Sequence, residues 1–71
     1  MTMSPIEKAI AIVGSQTALA EELGIRPQAV QQWVASGHVP VRRVIAVEKA
    51  TGGAVTRHEL RPDIYPEERA A

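Results

Sequence analysis

Residues 16–34 read QTALAEELGIRPQAVQQWV, and where this stretch is cut decides the fold. A helix from about Gln16 to Leu23 turns Leu19, Ala20 and Leu23 inward and sends Glu21 and Glu22 outward, with Ser15 before it as a cap. Gly24 stands where a left-handed residue ends a helix without a Cβ penalty. The next helix opens near Pro27, whose fixed φ suits a first helical position, and runs to about Ser36, with Gly37 as its stop. Small Ala20 lets the two helices cross closely, Gly24 takes the turn, Ile25 plugs the corner, and Val30 and Trp33 anchor the second helix. Ala20, Gly24, Ile25, Val30 and Trp33 at those offsets are the arrangement of a helix-turn-helix. The alternative is a helical hairpin with no role on nucleic acid.

On either side of this unit the same local chemistry continues. Ser4-Pro5-Ile6-Glu7 is a capping box with proline at the first helical position, and Ile6, Ala9, Ile10 and Val13 then repeat at helical spacing until Gly14. Pro40 is expected to open a fourth helix at its first position, carrying Val41, Val44, Ile45 and Val47 or Glu48 inward as far as Ala50. Thr51-Gly52-Gly53 ends it. Thr56-Arg57-His58-Glu59 repeats the capping box, predicting a short fifth helix before Arg61-Pro62. A brief strand at Val55 is the lesser reading. The fold class predicted is all-α, with five short helices built around the helix-turn-helix. Residues 1–61 form that DNA-binding domain, with the helix-turn-helix at about 16–36, and residues 62–71 an extended or flexible tail.

Composition narrows the function classes. A chain of 71 residues has room for one small core, so stability alone is expected to be marginal and association with a second copy would relieve it. There is no cysteine, which removes disulfides and thiolate metal sites and suits a cytoplasmic protein. The apolar run around Ala9 to Val13 is too short to span a bilayer, and no signal-peptide pattern opens the chain, so no membrane association is expected. Net charge is zero, yet Arg26, Arg42, Arg43, Lys49 and Arg57 face only Glu48 within residues 26–58, while both flanks are acidic. An anionic partner is therefore expected to meet the middle of the chain. No enzyme, cofactor, metal or small-molecule substrate is expected: His38 and His58 lack metal-ligand spacing, and so small a core leaves little room for a cleft with paired carboxylates.

With the helix-turn-helix and its flanks in place, GSQTALAEELGIRPQAVQQWV (14–34) and HVPVRRVIAVEKATGGAVTRHELRPDIYP (38–66) resemble the lambdoid phage Cro and prophage repressor group, and within it the short YdaS-like proteins. The resemblance covers about Ile6 to Tyr65. It implies a small, phage- or prophage-encoded transcription repressor that binds double-stranded operator DNA as a homodimer in the bacterial cytoplasm, beside a divergently transcribed repressor gene. For the fold it implies a lambda-repressor-like helix-turn-helix domain of five helices, or three helices and a C-terminal hairpin; residues 54–65 read better as helix. The family also leaves room for an antitoxin-like protein-interaction module that keeps the helix-turn-helix as scaffold.

In a helix-turn-helix the second helix enters the major groove with its N-terminal residues at the base edges. Gln28, Gln31 and Gln32 are the expected readers there, because an amide presents a donor and an acceptor that fit adenine N6 and N7 together. On a merely solvated face lysine and glutamate would be more usual, although glutamine is also a good helix former. The family commonly carries a polar residue where this chain has Pro27; without an N–H, Pro27 is left with van der Waals contact, as with a thymine methyl. Backbone phosphates are assigned to Gln16 and Thr17 at a helix N-terminus, to Arg26, Arg42 and Arg43, and to His38 in the loop. Trp33 is read as core rather than as a stacking platform. Ile64 and Tyr65 either pack back on the domain or bury against a second copy.

Overall fold

Helix α1 (Pro5–Val13) starts as its first four residues dictate. In the computed structural model, which describes residues 3–66, Ser4 Oγ accepts from the Glu7 amide and Glu7 Oε1 accepts from the Ser4 amide at 2.9 Å. The box closes two of the donors a helix start leaves open. The Glu7 carboxyl lies below its ordinary range, first because it accepts from the Ser4 amide and then through the nearby Ser4 hydroxyl. Helix α2 (Gln16–Leu23) is capped by Ser15, whose Oγ accepts from Ala18 at 3.0 Å. Helices α3 (Pro27–Ser36) and α4 (Val41–Ala50) follow, and α5 (Arg57–Leu60) repeats the capping box through Thr56 and Glu59. No strand occurs among the described residues.

Pro40 differs by one position from the expectation. It is the N-cap of α4, with ψ at 142°, and its carbonyl accepts from Arg43 at 2.8 Å. Lacking an N–H, proline serves either position, and its extended ψ puts the first helical turn one residue later. Within α4 the buried side chains are Val44 and Val47, while Ile45 is half-buried and Val41, expected inward, is 40 % exposed.

The core gathers Ile6, Ala9, Leu19, Ala20, Val30, Trp33, Val39, Val44, Val47, Val55 and Leu60. Helix α2 is central, packing on α1, α3 and α4, while α5 sits on α1 and α4. Helix α3 lies mainly against α2 and slightly against α1, its backbone away from α4 and α5, and much of its surface is exposed. The loop to α5 is organised by buried Thr51, whose Oγ1 donates to the Glu48 carbonyl at 2.8 Å and accepts from the Val55 amide at 3.1 Å. Val55 is thereby pulled into the core without a strand partner.

The tail does not begin as an extended segment. Residues 62–64 form a turn in which Ile64 and Tyr65 both donate to the Arg61 carbonyl, and half-buried Tyr65 packs against the core. Ile64 is exposed. The reason is a set of partners upstream: the His58 ring donates from Nδ1 to the Tyr65 carbonyl at 3.0 Å, and the Arg57 guanidinium lies 5.8 Å from the Tyr65 ring centroid. The expectation for 67–71 lies outside the described residues.

Candidate nucleic-acid interface

The turn between α2 and α3 is closed by backbone bonds. Gly24 has φ 69° and ψ 34°, its amide donates to the Glu21 carbonyl at 3.2 Å, and the Ile25 amide reaches the Ala20 carbonyl at 2.9 Å. That pair of bonds is the Schellman pattern, and it leaves Ile25 packed against the core beside fully buried Ala20. The chain can then rise into α3 at Pro27, with Arg26 as an N-cap that offers no side-chain bond.

The two faces of α3 separate cleanly. Val30 is fully buried and Trp33 is 7 % exposed, with Ala29 and Val34 half-buried beside them. Pro27, Gln28, Gln31, Gln32 and Ala35 are exposed. Gln28, Gln31 and Gln32 fall at i, i+3 and i+4, so they share one surface of the helix. None of the three makes a side-chain hydrogen bond within the described residues, so their amide donors and acceptors face outward unspent. Thr17 is exposed and Gln16 half-buried at the start of α2, where their amides fall outside the bond to Ser15.

The cations divide by partner. Arg26 and Arg42 are exposed and Arg43 half-buried, and none of them is in an ion pair among the described residues. Arg57, counted with the basic segment by sequence, is engaged instead: Nε meets Glu48 Oε1 at 3.1 Å, and the Arg57 amide reaches the same oxygen at 2.6 Å. These bonds, the side-chain one first, hold the Glu48 carboxyl below its ordinary range.

His38 is exposed, and its ring Nδ1 lies 3.2 Å from the Ser36 carbonyl. A carbonyl only accepts, so that nitrogen carries a proton and Nε2 is the one left for an outside partner. Ser36 Oγ accepts from the His38 amide at 3.2 Å, fixing the same turn from the other side.

One feature here is not readable from spacing. Arg61 donates from Nη1 to the Val39 carbonyl at 3.0 Å, across 22 positions of chain, and from Nε and Nη2 to the two Asp63 oxygens at 3.0 and 2.8 Å. The doubled bond from Arg61 brings the Asp63 carboxyl down to about 2. The Arg61–Asp63 pair has a local signal, two residues apart in RPD. Its bond to Val39 has none.

Against known proteins, the family model described as "Bacterial toxin YdaS" matches residues 6–69. The chain is 46 % identical over 59 residues to the "Putative transcriptional regulator YdaS" of Escherichia coli strain K12, over 82 % of this chain and 60 % of that protein's length. It is 41 % identical over 64 residues to "Gene 30 protein" of Enterobacteria phage phi80, over 87 % of this chain and 85 % of that one. Among solved structures it is similar to the Cro protein of element Xfaso 1 in Xylella fastidiosa strain Ann-1, with a TM-score of 0.89 and 46 % identity. That similarity covers 92 % of this chain and 100 % of the other, so the fold is that of a Cro helix-turn-helix protein.

Proposed function

We propose, from the premise that this chain belongs to the bacterial toxin YdaS family, that it is a sequence-specific DNA-binding transcription repressor of Cro type. It acts as a homodimer, each copy placing α3 in successive major grooves about 34 Å apart on a pseudo-palindromic operator. Gln28, Gln31 and Gln32 read base edges, with Pro27 in van der Waals contact. Gln16, Thr17, Arg26, Arg42, Arg43 and His38 meet phosphates. Promoter occlusion then blocks transcription. Residues 1–61 are the DNA-binding domain in this reading, which applies inside the bacterial cell.

The observation that carries the reading is the row of unspent amides on α3, exposed on the side opposite buried Trp33. An exposed amide row gives a helix nothing it could not obtain from charged residues, whereas base edges reward it. Relatives named as a transcriptional regulator and a Cro protein support the same direction. A fluorescence titration against the DNA flanking its coding region tests it: binding should prefer particular duplexes and weaken steeply with salt. Equal affinity for specific and random duplexes removes the claim of readout.

The word toxin in the family's description favours a second reading, a module whose partner is another protein. No duplex binding at low salt, together with a stable hetero-complex with a purified host protein, would select it.

A further inference from the structure

We infer that Arg61 is a positioning residue for DNA binding: by holding the Val39 carbonyl it sets where α4 begins, and so where Arg42 stands relative to α3. The inference rests on the DNA-binding reading above.

The connection from Gly37 to Pro40 is held at its α3 end by local bonds: the Gly37 amide donates to the Trp33 carbonyl at 2.8 Å, and Ser36 and His38 bond each other. At its α4 end Pro40 brings no N–H, and α3 and α4 each pack on α2. Beyond that shared packing, the point where α4 starts is held at Val39. Val39 is 1 % exposed, with its side chain in the core, and its carbonyl meets Arg61 Nη1.

Arg61 is itself immobilised twice. Its amide, capping the end of α5, donates to the carbonyl of Arg57 at 2.9 Å, and Asp63 takes two arms of the guanidinium. A planar fork with two arms on a carboxylate leaves Nη1 aimed at one place. Lysine, with a single ammonium, cannot reproduce both contacts. The Arg61 side chain is 17 % exposed and its charge already meets Asp63, so it acts through Arg42 rather than on phosphate.

Double-mutant cycles on duplex affinity separate this from a merely structural role, using duplexes from the flanking DNA and of random sequence. Each variant is first checked for folding by circular dichroism. Arg61→Lys is expected to weaken both duplexes alike, by about five- to tenfold. Combined with Arg42→Ala it should add little to the loss from Arg42→Ala alone, whereas combined with Arg26→Ala, at the N-terminal end of α3, the losses should multiply. Wild-type affinity in Arg61→Lys, or losses that multiply equally with both partners, overturns the inference while leaving the DNA-binding reading intact. Wild-type protein that binds neither duplex sinks both. Should Arg61→Lys not fold, Asp63→Asn, which releases the fork, takes its place in the same cycles with the same outcomes.

Discussion

The Ile25 amide donates to the Ala20 carbonyl at 2.9 Å, and this bond carries the chain from α2 through a left-handed glycine into α3. It puts a plug residue against a small residue, so the axes cross closely while the amide face of α3 stays outward.

The glycine between them is therefore a conformational requirement and not a spatial one. A Cβ at Gly24 would meet nothing within 4 Å, but φ is +69°. Gly24→Ala is expected to lower stability by about 1–2 kcal/mol through backbone strain. Gly24→Asn, whose side chain tolerates this region better, should cost less. Urea unfolding of the two variants measures it; equal stability of Ala and Gly at this position would refute the strain argument.

Trp33 gives the larger effect. Its truncation to Ala empties a buried site at the crossing of α3 and α2, costing about 3–5 kcal/mol. For a domain of this size that rivals the total stability. Far-UV circular dichroism should show Trp33→Ala largely unfolded at 37 °C, with Trp33→Phe retaining a cooperative melt.

Readout and affinity should come apart by residue. Gln28→Ala and Gln32→Ala are expected to relax preference at individual base pairs, each by about 1–3 kcal/mol of discrimination, with little change in the salt slope. Arg42→Ala should weaken all duplexes similarly and lower that slope by about one. Binding of a randomised duplex library, followed by sequencing, distinguishes the two patterns.

Stability should fall in acid and hold near neutral pH. Glu7, Glu48 and Asp63 all have folded values below their ordinary ones, Asp63 at about 2 against 3.8. A depressed carboxyl binds its proton more readily in the unfolded chain, so its stabilisation is present above the unfolded value and lost as pH falls toward the folded one. The melting temperature should hold at pH 5–7 and decline between about pH 4.5 and 2. Asp63→Asn should flatten the part of that decline below about pH 4; an unchanged profile would show the Arg61–Asp63 pair to be energetically idle.

Much of this was legible in advance because it depends on near neighbours. Ser4 with Glu7 and Thr56 with Glu59 close the predicted boxes, and Gly24 and Gly37 end helices at left-handed φ of 69° and 78°. The outward amides follow from the helical period once Trp33 is placed inward. Counting charges along residues 26–58 did not show that Arg57 pairs with Glu48, because the two sit nine positions apart on different helices.

What the chain's order alone determined is thus the set of helices, the turn at Gly24 and the exposed row at Gln28, Gln31 and Gln32, all decided within one or two helical turns. Only the tertiary structure decided that Val41 stands in solvent, that Tyr65 folds back onto Arg57 and His58, and that Arg61 holds the Val39 carbonyl. Caps and periodicity act over three or four residues, whereas these contacts require α4 and α5 to be already docked. A guanidinium finds a distant carbonyl only when the packing of two helices has brought it there.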